Sequence, residues 1–191
     1  NACIDNVFRI WNETSENRST QLIFCDFGVP TVQKKVKDKD GNAITKSEED
    51  FSKFNIYDDI RSKLINMGVP QEEIAFIHSA KTKEAKEKLF EKVRNGDVRI
   101  LIGSTSKMGA GTNVQNKLIA SHDLNCPWKP RDMEQRRGRM VRQGNENKKV
   151  QLFRYVTKDT FDAYLFQTLE NKQRFISQIM TSKTPARNCD D

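Results

Sequence analysis

Ile4, Val7, Phe8 and Trp11 recur at a spacing of three to four, which predicts a first helix ending near "SENRST" (15–20). "QLIFCDF" (21–27) is a short apolar run between polar neighbours, the pattern of a buried strand. "FNIYDDIRSKLINMG" predicts a helix stopped by Gly68, "IAFIH" (74–78) a strand, and "TKEAKEKLFEKVRNG" an amphipathic helix ending at Gly96. "VRILIGS" (98–104) predicts another buried strand, and a glycine-rich turn, "KMGAGTN", leads to the strand "KLIASHDL", which ends near Asp123. A short arginine-rich helix, the strand "VQLFRYV" and a long helix from about Thr160 to Met180 complete the series. Strands alternating with helices predict an α/β fold with a mostly parallel sheet covered on both faces. Two stretches break the pattern. Residues 30–52 are charged, poor in large apolar side chains and contain Asp40-Gly41, which predicts a flexible loop or a protruding hairpin inserted in a domain spanning 1–180. "TSKTPARNCDD" (181–191) reads as a tail.

Length and composition change little in this picture. The 191 residues, 36% hydrophobic and 31% charged, suit one polar α/β domain, and no apolar run approaches the roughly 20 residues of a membrane helix. The N-terminus carries no signal-like pattern and no Met, so the chain reads as a piece of a longer cytoplasmic protein. Cys3, Cys25, Cys126 and Cys189 are scattered with no Cys-x-x-Cys pair, which argues for reduced thiols and against a zinc site or a disulfide framework.

Charge says more. The net charge is +7, and from Lys129 to Lys149 eight Lys/Arg face three Asp/Glu. In open α/β sheets, working residues gather beyond the carboxyl ends of the strands. Here those loops begin at His78-Ser79, at Ser104-Thr105 and at Asp123, and the arginine helix follows the last of them. On a helix Gln135, Arg139 and Arg142 share one stripe, Gly138 beside it removes a side chain, and Arg136 and Arg137 point elsewhere. Arginine's planar fork presents two parallel donors to phosphate oxygens. Three explanations stand at this level: a solvated face with Arg142 complementing the helix end, a nucleic-acid patch, or a group aimed at one phosphate.

"QRRGRMVRQGN" resembles motif VI of superfamily-two helicases and translocases, Gln-x-x-Gly-Arg-x-x-Arg, matching at Gln135, Gly138, Arg139 and Arg142. Upstream, "GSTSKMGAGTNV" resembles motif V. "HDLNCPWKPRDMEQ" is similar to the linking segment of Swi/Snf-type ATPases, "FIHSA" occupies the turn after motif IV, and "QLIFCDF" that of motif IV. The resemblance spans about residues 20–157 and implies the second, C-terminal RecA-like lobe. "LIGSTSKMGAGTNVQ" and "FDAYLFQTLENKQRFISQIMTSK" are most similar to the helicase part of large phage and mobile-element proteins that join a DNA methylase to a Swi/Snf-like helicase.

That resemblance implies roles. Arg142 would be the finger on the γ-phosphate, Arg139 its partner, and Gln135 a residue that orients the helix or touches nucleotide. Gly109 and Gly111 would allow a tight turn, Gly138 a close approach, and Asn113 a polar contact to ribose or to the coupling network. Ser104, Thr105 and Lys107 would meet the nucleic-acid backbone, as would His78 and Ser79 unless His78 only caps its strand. The chain has no phosphate loop and no magnesium-binding acidic quartet. ATP with Mg²⁺ would therefore be held mainly by an N-terminal RecA-like lobe of the same protein. The implied partners are that lobe, DNA or alternatively RNA, and a methylase domain outside this chain. The competing expectation is a non-catalytic, basic nucleic-acid or protein-docking module with a RecA-like shape.

Overall fold

The computed structural model describes residues 2–28, 31–37, 43–49, 55–109, 113–127, 129–140, 143–157 and 160–181, with backbone alone for 31–37, 43–49, 109, 139 and 180–181. At its centre runs β1 (Thr20–Phe24), all five residues of which are buried. Such a continuous buried run is what a parallel strand covered on both faces requires. β5 (Ile100–Gly103) and β6 (Leu118–Asp123) flank it, with β4 (Ile74–Phe76) and β7 (Gln151–Arg154) outside them. The order is β4-β5-β1-β6-β7 and every pairing is parallel.

Alternation along β1 divides the core. Ile23 and Cys25 pack with Ile4 and Val7 of α1 (Ala2–Glu13) and with Tyr57, Ile60 and Leu64 of α2 (Ile56–Asn66). Leu22 and Phe24 pack on the opposite face with Phe90 and Val93 of α3 (Lys83–Asn95) and with Met140 of α5 (Pro130–Met140). Burying each such aliphatic or aromatic side chain contributes about 1.5–3 kcal/mol relative to exposure. A smaller cluster of Cys126, Met133, Phe166 and Leu169 fastens α6 (Phe161–Thr181) to α5. The expected α/β class and parallel sheet are those observed.

Helix limits follow local chemistry. The Asn55 side chain accepts from the Asp58 amide at 2.8 Å and the Thr82 hydroxyl from the Ala85 amide at 3.1 Å, capping α2 and α3. α3 stops at Gly96, whose φ of 83° is the left-handed conformation of a helix C-cap. Two strands are shorter than their apolar runs. His78 and Ser79 belong to a 3-10 turn, Ile77–Ser79, and Ser104 lies outside β5. The start of the expected glycine turn is instead a five-residue helix, α4 (Thr105–Gly109), because Met108 is drawn fully into the core. Gly103 is required there: a Cβ would stand 2.2 Å from Ile77 Cγ2. The 30–52 insertion contains an antiparallel pair, β2 (Thr31–Lys37) and β3 (Ala43–Glu49), which forms its own two-stranded sheet.

Two buried polar residues tie α1 to the sheet. Arg99, 2% exposed, donates to the Ser19 and Trp11 carbonyls at 3.2 and 2.6 Å. His122 stacks on Phe153 at 4.9 Å, with Nδ1 2.8 Å from the Tyr155 hydroxyl and Nε2 2.9 Å from Gln21 Oε1. The Gln21 amide is oriented by its own bond to the Val7 carbonyl, so Oε1 accepts and His122 is the neutral Nε2–H tautomer. Burial, helped by the nearby Arg9 charge, pushes the His122 pKa down to about 3. The unfolded chain takes up this proton as pH falls through about 6.5 and the folded chain does not. The associated stability is complete above that pH and is lost between it and pH 3, at up to about 1.4 kcal/mol per pH unit. Urea unfolding at pH 7 and pH 5 should show this loss, and His122→Gln should flatten it.

Candidate functional site

The carboxyl ends of β5, β1 and β6 converge on one side chain, Arg136 of α5, which is 1% exposed. Its Nε and Nη2 donate to the Thr105 hydroxyl at 2.9 and 2.6 Å, Nη2 also to Asp26 Oδ2 at 2.8 Å, and Nη1 to the Asn125 carbonyl at 3.0 Å. Asp123 Oδ1 lies 3.0 Å from Nη1, an ion pair without the alignment of a hydrogen bond. The guanidinium rests over the Phe24 ring at 5.0 Å. Each loop beyond the three central strands is thereby joined to the arginine helix.

Asp26 completes the cluster. Its carboxylate accepts from the Thr105 amide at 2.6 Å, the Thr105 hydroxyl at 2.8 Å and Asn125 Nδ2 at 3.1 Å, while its own amide donates to Asn125 Oδ1 at 2.8 Å. Burial works against this charge, but the Thr105 amide, Asn125, the Thr105 hydroxyl and Arg136 together hold the Asp26 carboxyl below its ordinary pKa. For the more deeply buried Asp123 desolvation outweighs Arg136, and its pKa is raised. Burial also pushes the Cys25 and Cys126 thiols beside the cluster up to about 11, so neither is a nucleophile near neutral pH.

A second connection lies farther along. Gln115 Nε2 donates to the Gln143 carbonyl at 3.3 Å, and Val114 shares the core cluster of Met140. The segments 104–115 and 135–143 are therefore pinned together at two points, Thr105–Arg136 and Gln115–Gln143. In sequence these points bracket Gly109 and Gly111 on one segment and Arg139 and Arg142 on the other.

Residues 16–144, more than half of the chain, match the family described as helicase conserved C-terminal domain. The chain belongs to this family. As such a helicase C-terminal domain it is 33% identical over 105 residues to Defense against restriction protein B of Escherichia phage P1, which covers 54% of this chain and 5% of that protein. Two solved structures share the fold. The crystal structure of the C-terminal part of the Fun30 ATPase domain has a TM-score of 0.55 at 15% identity, over 92% of this chain and 53% of that one. The crystal structure of the DUF1998 helicase MrfA bound to DNA has a TM-score of 0.54 at 11% identity, over 91% and 20%. The chain thus spans about a twentieth of the curated relative. The fold is the RecA-like α/β arrangement implied by the sequence resemblance.

Within the helicase C-terminal domain, Ser104 and Thr105 are buried at the end of β5, with Ser104 Oγ 3.1 Å from Ser106 Oγ, and Lys107 is exposed on α4. Ser79 is exposed at the end of β4, while His78 is buried edge-on to Tyr57 at 5.3 Å. Asn113 is exposed, and its carbonyl accepts from Arg94 of α3 at 3.0 Å rather than joining the Arg136 cluster. Gln135 is half-buried on α5. Gly138 is exposed, and a Cβ there would meet no described atom within 4 Å. Arg142 and Gly111 lie outside the described residues, as do the side chain of Arg139 and the surroundings of Gly109.

Arg136, which helical spacing sets off the stripe of Gln135, Arg139 and Arg142, turns to the strand ends, while Arg137 is exposed. The carboxylates of Asp26 and buried Asp123 draw it there, and helical spacing alone registers neither Asp26, 110 positions upstream, nor Asp123 on the preceding strand. Asp26 and Asn125 escaped notice for the same reason. The available signal was an Asp or Asn directly after two apolar strand runs, "IFCD" and "SHDLN".

Proposed function

We propose that this chain is the second lobe of an ATP-driven helicase or translocase acting on nucleic acid, most simply DNA. The observation that carries the reading is the double pinning of the arginine helix to the segment after β5. A polar cluster that fixes two motifs against each other is what coupling nucleotide state to nucleic-acid grip requires. Gly138 adds support. Glycine inside a helix costs about 1 kcal/mol relative to alanine, and a Cβ at Gly138 would meet no described atom, which agrees with a close approach of another surface there.

In this reading Arg142 and Arg139 donate to the γ-phosphate across the cleft between lobes, and Gln135 steadies their helix. Guanidinium forks suit phosphate oxygens, and among the described residues the rim carboxylates Asp26 and Asp123 are both engaged with Arg136. ATP with Mg²⁺ supplies the cleavable phosphoanhydride, and its metal ligands fall to the N-terminal lobe. Lys107 and Ser106, both exposed, would in this reading hold a backbone phosphate, with Ser104 beside them. Thr105 can reach one only by releasing Asp26. Exposed Phe175, Ile176 and Ile179 on the outer half of α6 agree with an origin in a larger molecule.

The test is ATP hydrolysis with and without DNA, by the isolated chain and by the full-length protein. The isolated chain is expected to be inactive and the full-length protein to be stimulated by DNA. Turnover by the isolated chain, or a full-length ATPase indifferent to nucleic acid, would overturn the reading.

A further inference from the structure

The insertion after β1 is not used by this mechanism, yet it starts from the cluster at its centre. Asp26 sits among Arg136, Thr105 and Asn125, and the chain leaves the domain two residues later at Gly28. It returns at Asn55 and Ile56, and Gly28 is in contact with Ile56, since a Cβ on it would stand 3.0 Å from Ile56 Cγ2. Gly28 and Ile56, the described chain on either side of the insertion, are therefore together, and Gly28 is close to Asp26 in sequence. Phe27, at the outgoing foot, is 55% exposed.

The pairing register sorts the ribbon's residues. Lys35 lies opposite Thr45, Lys37 opposite Ala43 and Gln33 opposite Ser47, so one face holds two cations with hydroxyl and amide groups. The only carboxylate on that face is Glu49, in the pair nearest the domain. The other face holds Val32, Val36, Ile44 and Glu48 along with Lys34 and Lys46. A two-stranded ribbon is marginally stable alone in water, and its seven paired positions form a sheet separate from the five-stranded one. Lysine with Ser, Thr and Gln is the donor set that proteins use on sugar–phosphate backbones.

We propose that the β2–β3 ribbon is a nucleic-acid contact: its Lys35–Lys37 face binds the backbone of the strand held at the rim, and Phe27 stacks on one unpaired base. This rests on the nucleic-acid reading above. Lys35 and Lys37 are about 7 Å apart along the strand, and each neutralises one phosphate.

Fluorescence anisotropy of the 191-residue chain with labelled 20-nucleotide DNA and RNA strands of the same sequence, across a salt series, tests it. Replacing Lys35→Ala with Lys37→Ala should reduce the slope of log K against log salt by about 1.4, at about 0.7 per phosphate. Phe27→Ala should weaken binding about ten-fold. The pair Lys34→Ala with Lys46→Ala should leave the slope unchanged, and Lys35→Arg with Lys37→Arg should preserve it while establishing that the ribbon tolerates substitution. An unchanged slope in the Lys35/Lys37 pair, or an equal loss from the Lys34/Lys46 pair, overturns the proposal and leaves a protein partner as the ribbon's occupant. If Lys107→Ala weakens binding and the ribbon variants do not, the ribbon assignment alone fails. If the wild-type chain binds neither strand at low salt, the nucleic-acid reading fails with it.

Discussion

In the full-length protein, Arg142→Ala should lower DNA-stimulated ATP turnover by about 10³- to 10⁵-fold, the range over which an arginine finger acts. In the proposed reading the guanidinium would meet charge that develops on the transferring phosphoryl group, so the loss should fall on kcat, with DNA affinity nearly unchanged. Arg142→Lys should recover little, because an ammonium keeps the charge but not the paired donors. The exposed Arg137, on the same helix, is the control. Its alanine variant should change turnover by no more than about three-fold, a difference under 1 kcal/mol. Phosphate release under saturating ATP and DNA reads all three. If Arg142 instead only complements a helix end, its removal costs about 0.3–1 kcal/mol of stability and leaves kcat untouched. That outcome would sink the finger assignment.

Order and type of most elements were legible because they depend on short-range signals: the apolar run of β1, the spaced apolar residues of α1, the amphipathic pattern and Gly96 stop of α3. The antiparallel ribbon was half legible, since Asp40-Gly41 marks a turn but the polar strands on either side lack an apolar face to fix a register. Motif spacing also identified which segments meet at the rim. It did not identify what fastens them. Arg136 pairs with Asp26 across 110 positions and with Thr105 across 31. Gln21 meets His122 across 101. Such pairings are products of strand order, which fixes β1 between β5 and β6 and brings three loop starts to one place. A sequence pattern specifies a stripe on a helix; only the sheet decides which side chain meets the acids at the strand ends.

The strongest consequence of that sheet is the cost of losing Arg136. With its guanidinium gone, Asp123 (6% exposed side chain) and Asp26 (29%) face each other's charge without a cation, and the Thr105 hydroxyl loses its donors. Removing one partner from a buried ion pair costs about 3–5 kcal/mol. For a chain of this length that corresponds to a fall in Tm on the order of 10 °C, at about 2–4 °C per kcal/mol. Arg136→Lys should lie between, keeping charge near Asp26 but unable to span Thr105, Asn125 and both aspartates at once. Arg137→Ala should stay within about 0.5 kcal/mol of wild type. Thermal unfolding at pH 7 separates them. The double variant of Arg136→Met with Asp26→Asn should recover part of the lost stability, because it removes one of the stranded charges. A Tm for Arg136→Ala within a degree or two of wild type would mean that the cluster does not hold the arginine helix to the strand ends. The route proposed here from nucleic-acid grip to nucleotide would then have no rigid connection to travel through.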